Sequence, residues 1–196
     1  MTALNGAAVF VIQVFGGLYL LLVLLRFILQ LVRADFYNPL SQVAVRATQP
    51  LLRPLRKIIP SIGGLDTASL LLAIVVQLVV MALTLLLTYG ITGTPVQMLI
   101  WAIIGVTALF LKVFFFAMIL MVIVSWVAPN SHNPAAELAN QICEPLLAPI
   151  RRIMPTMGGL DLSPLVAFVL IQLLSTYLIG ALAEATLMPA VISRLI

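Results

Sequence analysis

The chain has 196 residues, of which 63% are hydrophobic and 8% are charged, and its mean hydropathy is +1.23. A soluble domain is about one-quarter charged, so this composition predicts an integral membrane protein and excludes a soluble enzyme or a disordered binding protein. The single cysteine and single histidine leave no disulfide framework and no cluster for zinc or haem. We therefore expect no bound cofactor and no metal.

Four apolar stretches are long enough to cross a bilayer, which takes about 20 residues. They predict spans near residues 7–32, 68–89, 102–128 and 165–184. The third stretch already begins at residue 96, so this span is expected either to tilt or to begin with an interfacial segment at 96–104. The predicted fold is an all-α membrane protein with four transmembrane helices.

Basic residues are distributed unevenly between the connections. Seven of the ten lysines and arginines lie in or beside two long loops, at 33–67 and 129–164, whereas the short turn at 90–95 has none. The positive-inside rule therefore predicts that both long loops are cytoplasmic and both termini outside.

The two long loops carry the same motif at a constant offset of 95 residues. PLLRPLRKIIPSIGGLD at 50–66 corresponds to PLLAPIRRIMPTMGGLD at 145–161, with 11 identical residues in 17. Apolar bias does not align three prolines, a Gly-Gly pair and an aspartate. We predict two repeats, 1–95 and 96–196, each made of a span, a cytoplasmic loop and a span. Because two spans return the chain to its starting side, the repeats are expected to insert in parallel.

The doubled motif resembles that of the YggT family of bacterial and plastid membrane proteins. The resemblance implies a multi-pass protein of the bacterial inner membrane that supports osmotic-stress tolerance and ion homeostasis, while relatives are linked to cell division and to maturation of cytochrome b6. It implies no catalytic residue. The positions that carry over are Asn38, Pro39, Pro50, Pro54, Arg56, Pro60, Gly63, Gly64 and Asp66, with Asn133, Pro134, Pro145, Pro149, Arg151, Pro155, Gly158, Gly159 and Asp161.

Local preferences predict a broken structure for the first loop. Residues 40–48 have the pattern of a short amphipathic helix. Pro54 cannot continue a helix that starts at Pro50 without losing a hydrogen bond, so 50–53 is expected to form a turn or a kinked helix start. A second short helix at 55–59 would then end at Pro60.

The end of each motif predicts a turn and a helix cap. Gly63 and Gly64 permit a turn, and Asp66, or the threonine after it, is expected to cap the second span. In the second loop, Ser163 before a proline is the expected cap. The alternative is that Asp66 and Asp161 act as functional acids, although an aspartate at this end of a helix is usually a cap.

Each loop combines apolar and basic residues near the membrane surface. Arg53, Arg56 and Lys57 are expected to reach anionic headgroups, at about 1 kcal/mol for each residue, whereas Arg151 and Arg152 lie among acidic residues. The arginines either anchor the helices and enforce topology, or form a site for a specific lipid, a membrane-protein partner or a second copy.

Five polar residues within the spans are candidates for a functional role. Arg26 is near the end of the first span and is expected to extend to the headgroups. Lys112 and Glu184 lie about 24 and 30 Å from the cytoplasmic side at 1.5 Å per residue, and we predict that they interact, as an ion pair or along an ion path. Gln77 and Gln172 are expected to mediate helix packing or to line a polar pathway.

The sequence thus favours a non-enzymatic inner-membrane protein of YggT type that supports osmotic and ion homeostasis. The alternatives are a scaffold for membrane assemblies and a subunit of an ion-conducting oligomer. We expect the lipid bilayer as partner, and neither nucleic acid nor an identifiable small-molecule substrate.

Overall fold

The computed structural model describes residues 3–127, 133–154 and 161–193. Its helices are α1 (Ala3–Leu31), α2 (Pro39–Ile58), α3 (Thr67–Tyr89), α4 (Pro95–Val127), α5 (Pro134–Ile153), α6 (Ser163–Leu173), α7 (Gly180–Ala185) and α8 (Ala190–Ser193). Four helical segments are long and apolar enough to cross a membrane: α1, α3, α4 and a fourth span at Ser163–Ala185. The protein is therefore a multi-pass membrane protein, as its composition predicts.

The first two spans pack closely along their length. Gly16 of α1 faces Val80 of α3, and a Cβ atom at Gly16 would lie 2.4 Å from Val80 Cγ2. A larger residue would force the helices apart, so the glycine allows the close backbone approach that holds apolar helices together in lipid.

Both loop helices continue through prolines, so the predicted break at 50–53, a turn or a kinked start before a separate helix at 55–59, is wrong. α2 contains Pro50 and Pro54, and α5 contains Pro145 and Pro149. An internal proline costs a helix about 3 kcal/mol, but all four rings are exposed, where the carbonyls that lose an amide partner remain accessible. Burial of the opposite side keeps each helix in place, along Ser41, Ala44, Thr48 and Leu52 in α2 and along Ala136, Ala139, Cys143 and Leu147 in α5.

The connection from α2 to α3 is a tight turn, as predicted. Gly63 and Gly64 have φ angles of +61° and +85°, and Ile62 and Leu65 exchange two backbone hydrogen bonds around them. Positive φ at both central positions is the signature of a type I′ turn. Asp66 then caps α3, which confirms the predicted cap.

The third span is one continuous helix. α4 has 33 residues and is therefore about 50 Å long at 1.5 Å per residue. One side of its first turns is buried, because Met98 and Trp101 pack with Met81 and Leu85 of α3 and with Ile192 of α8. This packing stabilises the helix beyond the length that a bilayer requires.

The fourth span is interrupted, which the sequence did not predict. The helix is α-helical in α6 and π-helical at Leu174–Ile179, and it returns to α-helix in α7. The expected cap at Ser163 is also wrong, because the helix already includes Ser163, whose backbone N–H donates to Asp161 Oδ1 at 2.9 Å.

The largest hydrophobic cluster lies towards one end of the bundle. It joins Leu24 and Ile28 of α1 with Met118 of α4, and it includes Leu52 of α2 and Leu147 of α5, all fully buried. We call the side of the bundle that carries α2 and α5 the loop face. These two helices belong to the core, so the loop face is a fixed part of the fold.

Candidate functional site

The motif of each repeat begins with an asparagine that caps its loop helix. Asn38 Oδ1 accepts a hydrogen bond from the Leu40 N–H at 2.9 Å, and Asn133 Oδ1 accepts one from the Ala135 N–H at 2.9 Å. The prolines that follow, Pro39 and Pro134, occupy the first helical turn, where no amide partner is lost. The first function of the Asn-Pro pair is therefore to start α2 and α5.

An arginine clamps the far end of α2 to the start of α3. Arg56 Nη2 forms an ion pair with Asp66 Oδ2, and Asp66 also accepts hydrogen bonds from the side chain and backbone of Ser69. Burial raises the pKa of the Asp66 carboxyl, but the bonds from Arg56 and Ser69 outweigh that effect and lower it below the ordinary value. Asp66 is 3% exposed. It is a buried structural cap, which argues against the alternative of a free functional acid.

The second repeat has an equivalent clamp in more open surroundings. Arg151 Nε donates to Asp161 Oδ2 at 2.8 Å, and its Nη1 donates to Glu144 Oε2 at 2.7 Å. Burial raises the pKa of Asp161, but bonds from Ser163 and Arg151 outweigh this and lower it. The sequence contained a signal for both clamps, because each repeat places an arginine ten residues before an aspartate.

Arg26 binds the loop helix, and the expectation that it extends to the headgroups is wrong. Its side chain is only 4% exposed. Nη1 donates to the Val45 carbonyl at 3.1 Å and to Thr48 Oγ1 at 2.9 Å, and Nη2 donates to Gln49 Oε1 at 2.9 Å. Arg26 therefore ties α2 to α1. The second repeat has Met121 at this position.

The outward side of α2 carries two adjoining surfaces. Exposed Arg46, Arg53 and Lys57 repeat at spacings of seven and four residues, and therefore form one stripe directly opposite the buried side. We call these three residues the basic stripe. The flank beside it is apolar and exposed, formed by Leu40, Val43, Leu51 and Ile58. The corresponding stripe of α5 retains only one basic residue, the exposed Arg152.

Among the described residues, two hydrogen bonds join the repeats on the loop face. Asn38 Nδ2 donates to the Pro134 carbonyl at 2.7 Å, and the Asp35 N–H donates to Gln141 Oε1 at 2.8 Å. The motif thus connects the two halves as well as starting each loop helix. Sequence reasoning did not find this role, because it depends on how α2 and α5 meet.

The equivalent glutamines of the spans have different surroundings. Gln77 is buried between α3 and α4, where a Cβ atom at Gly105 would lie 2.5 Å from Gln77 Nε2. Gln172 is exposed on α6 and donates to Thr176 Oγ1 at 3.2 Å. Gln77 therefore contributes to helix packing, while Gln172 adds a polar group to the outside of the bundle.

Lys112 and Glu184 share a cavity, but the predicted ion pair does not form. The cavity has a volume of about 280 Å³ and lies between α4, the π-helical segment, α7 and α8. Within the described ranges, no oxygen of Glu184 lies within 4.0 Å of the Lys112 ammonium. The other lining residues are the apolar Ile179 and five small residues: Ala108, Ser175, Gly180, Ala183 and Ser193.

The remaining motif residues complete the loop connections. The Pro60 carbonyl accepts a hydrogen bond from Thr67 Oγ1 at 2.7 Å, which ties the turn to the start of α3. Pro155, Gly158 and Gly159 lie outside the described residues.

Comparison with known proteins identifies one family and several relatives. The family model described as CCB3/YggT matches residues 5–87 and again residues 100–182. The uncharacterized protein PA0392 of Pseudomonas aeruginosa is 62% identical over 194 residues, 98% of each chain. An uncharacterized protein from the proC 3′ region of Vibrio alginolyticus is 40% identical over 172 residues, 87% of this chain and 92% of its own. The uncharacterized protein YggT of Escherichia coli K12 is 36% identical over 158 residues, 81% of each chain. No solved structure matches the chain significantly.

Proposed function

This chain belongs to the CCB3/YggT family, and we propose that it is a non-enzymatic protein of the bacterial inner membrane that supports osmotic-stress tolerance and ion homeostasis. The physiological role is supported by the motif resemblance, and the mechanism is supported by the geometry of α2. In this mechanism the loop face is cytoplasmic and both termini are outside. α2 binds anionic phospholipid headgroups. The loop face holds a membrane-protein partner at a fixed position relative to the membrane surface.

The observation that carries the proposal is that α2 has three sides with different surroundings. One side is buried in the core, one is apolar and exposed, and one is the basic stripe. An amphipathic helix at a membrane surface places its apolar side at the acyl boundary and its basic side at the phosphates. Each of the three basic residues contributes about 1 kcal/mol near an anionic leaflet, or about 3 kcal/mol together, which corresponds to roughly 100-fold in affinity.

The fixed position of α2 makes this surface suitable for a scaffold. Arg26 binds one turn of α2, the Arg56–Asp66 pair holds its end, and Leu52 is fully buried. A surface held in this way loses little conformational freedom when it binds, because the ordering cost is already met on folding. α5 has the same attachment to the core but only Arg152 on its outward side, so we assign lipid binding to the first repeat.

The first test measures lipid retention by the purified full-length protein. Arg46, Arg53 and Lys57 are changed together to Gln, and a matched variant exchanges each for the other basic residue (Arg46→Lys, Arg53→Lys, Lys57→Arg). Native mass spectrometry then compares bound phosphatidylglycerol with bound phosphatidylcholine. We expect the Gln variant to lose the preference for phosphatidylglycerol and the charge-keeping variant to retain it. An unchanged preference in the Gln variant would contradict lipid binding by α2.

The second test connects this surface to physiology. A bacterial strain lacking its own copy is complemented with each variant, and growth is followed after a hyperosmotic shift at equal membrane levels of protein. Loss of growth with the Gln variant, but not with Lys112→Met or Glu184→Gln, is expected for a loop-face scaffold. The reverse pattern would favour the ion-conducting oligomer. Normal growth of the deletion strain would remove the osmotic role.

A further inference from the structure

The cavity of the fourth span contains two opposite charges that do not neutralise each other directly. Lys112 and Glu184 both line it, yet in the described part of the chain neither forms an ion pair within 4.0 Å. Its volume of about 280 Å³ is many times the roughly 10–15 Å³ that one water requires. The space is therefore large enough for a small polar group between the charges.

The distortion of the helix accounts for the cavity. The π-helical segment Leu174–Ile179 ends directly at Gly180, where a Cβ atom would have no other atom within 4 Å. Gly180 and Ala183 line the cavity from one side and Ala108 from the other. Small residues and an extra residue in the turn thus leave room where two straight helices would close. π-helical turns within α-helices occur frequently at functional sites.

The energetics of charge in a membrane span define what fits this space. Charged side chains within a span cost free energy on insertion scales, and they usually pair or face a polar cavity. A single anion would neutralise Lys112 and leave Glu184, and a single cation would do the opposite. A group that carries both charges satisfies the two side chains together.

We propose that this cavity binds a zwitterion. The ammonium group of the ligand lies against the Glu184 carboxylate, and its phosphate or carboxylate lies against the Lys112 ammonium, with the hydroxyl groups of Ser175 and Ser193 as further hydrogen-bonding groups. Two sources carry this chemistry: the ethanolamine phosphate headgroup of a phospholipid, and a soluble amino acid. The cavity is remote from α2, so this site is independent of the proposed function of the loop face.

The test uses the full-length protein with two probes. Native mass spectrometry measures binding of phosphatidylethanolamine, with phosphatidylglycerol as the lipid that lacks the ammonium group. Calorimetry measures binding of glycine as the soluble zwitterion. The variants are Lys112→Met, Glu184→Gln and the charge exchange Lys112→Glu with Glu184→Lys. Gln172→Leu is the matched control, because Gln172 lies in the same span but outside the cavity.

We expect each single variant to weaken binding of one zwitterion by at least tenfold. The control and the charge-exchanged protein should retain it, since the exchanged site still offers both charges. If the single variants weaken binding of phosphatidylethanolamine, the ligand is a lipid headgroup. If they weaken binding of glycine, the ligand is a soluble zwitterion. If only one of the two charges matters, or neither probe responds to either variant, the proposal is wrong. If one single variant does not fold, the other single variant decides the test: weakened binding supports the site, and unchanged binding overturns it.

Discussion

Equivalent residues of the two repeats differ most in how far they are shielded from solvent. Asp66 caps the second span, Asp161 accepts a hydrogen bond from the Ser163 N–H at the start of the fourth, and both bind the arginine ten residues earlier. However, the Asp66 side chain is 3% exposed and that of Asp161 is 39% exposed. Hydrogen bonds to a charged group are strong where water is excluded, whereas exposed ion pairs contribute little. The same motif is therefore expected to contribute unequally to stability in the two halves.

Asp66→Ala should destabilise the protein more than Asp161→Ala. The first change removes a buried cap and leaves Arg56 without its partner, at a cost of at least about 2 kcal/mol; the second should cost about 1 kcal/mol or less. Thermal unfolding is measured with a thiol-reactive dye. Burial, with Glu144 nearby, raises the pKa of the only cysteine, Cys143, to about 12, so the dye labels the unfolded chain. Equal losses in the two variants would show that shielding is not the deciding factor.

Lowering the pH is a second way to remove the charge of Asp66. Because the folded state lowers the pKa of Asp66, its contribution is complete above the ordinary carboxyl pKa, near about 4, and is lost as the pH falls through the lowered value. The stability difference between wild type and Asp66→Ala should therefore be full at neutral pH and should shrink below about pH 4.

At the scale of the secondary structure, α2 is held by a residue of the preceding span. Arg26 donates three hydrogen bonds to groups on one turn of α2. The equivalent positions of Arg26, Thr48 and Gln49 in the second repeat are Met121, Cys143 and Glu144. There the helix is held without that arginine, and Glu144 binds Arg151 instead. The two loop helices are thus attached by different chemistry.

Arg26→Met should loosen α2 and leave α5 in place. The substitution places the residue of the second repeat in the first, and it leaves Gln49 and the Val45 carbonyl without their donor. Hydrogen–deuterium exchange should rise in α2 amides by roughly tenfold or more, as expected for a loss of about 1.4 kcal/mol or more, and should not change in α5. Arg53→Ala is the matched control, since it removes an exposed arginine of the same helix. A uniform increase in both helices would instead indicate global destabilisation.

The sequence predicted the elements that depend on local pattern and missed those that depend on packing. Apolar length predicted the four spans, and the registered prolines and Gly-Gly pair predicted the repeat and the turn at Gly63. The continuity of α2 through Pro54 could not be predicted, because burial of its opposite side overrides a local rule. The π-helical segment has no marker such as an internal proline, and the partners of Arg26 follow only from the docking of α2.

The whole molecule is a pair of hairpins whose joint on the loop face is not symmetric. Asn38 caps α2 and also donates to the Pro134 carbonyl, and the Asp35 N–H donates to Gln141. Asn133 caps α5 through its Oδ1, and the residue equivalent to Gln141 is Arg46 of the basic stripe. The first repeat therefore provides the donors of this joint and the second provides the acceptors.

Asn38→Asp should weaken the joint while keeping the cap. The carboxylate still accepts from the Leu40 N–H, but it cannot donate to the Pro134 carbonyl. We expect a loss of about 1 kcal/mol, or ~2–4 °C in melting temperature for a chain of this size. Asn133→Asp is the matched control, because the Asn133 side chain accepts a hydrogen bond from the Ala135 N–H and a carboxylate can still accept it. This change should leave the melting temperature unchanged or slightly raised. Equal effects of the two changes would mean that the bond between the repeats contributes nothing measurable.

The bond from Asn38 to Pro134 also sets an order in time. Ribosomes deliver the chain from its N-terminus at about 5–20 residues per second, and the acceptor follows the donor by 96 residues. The first hairpin is therefore made about 5–20 s before the group that completes it. During that interval its donors face water or any other nascent chain, including the same hairpin of a second copy on the same messenger. Each newly made first repeat begins as one half of a joint whose other half has not yet been synthesised.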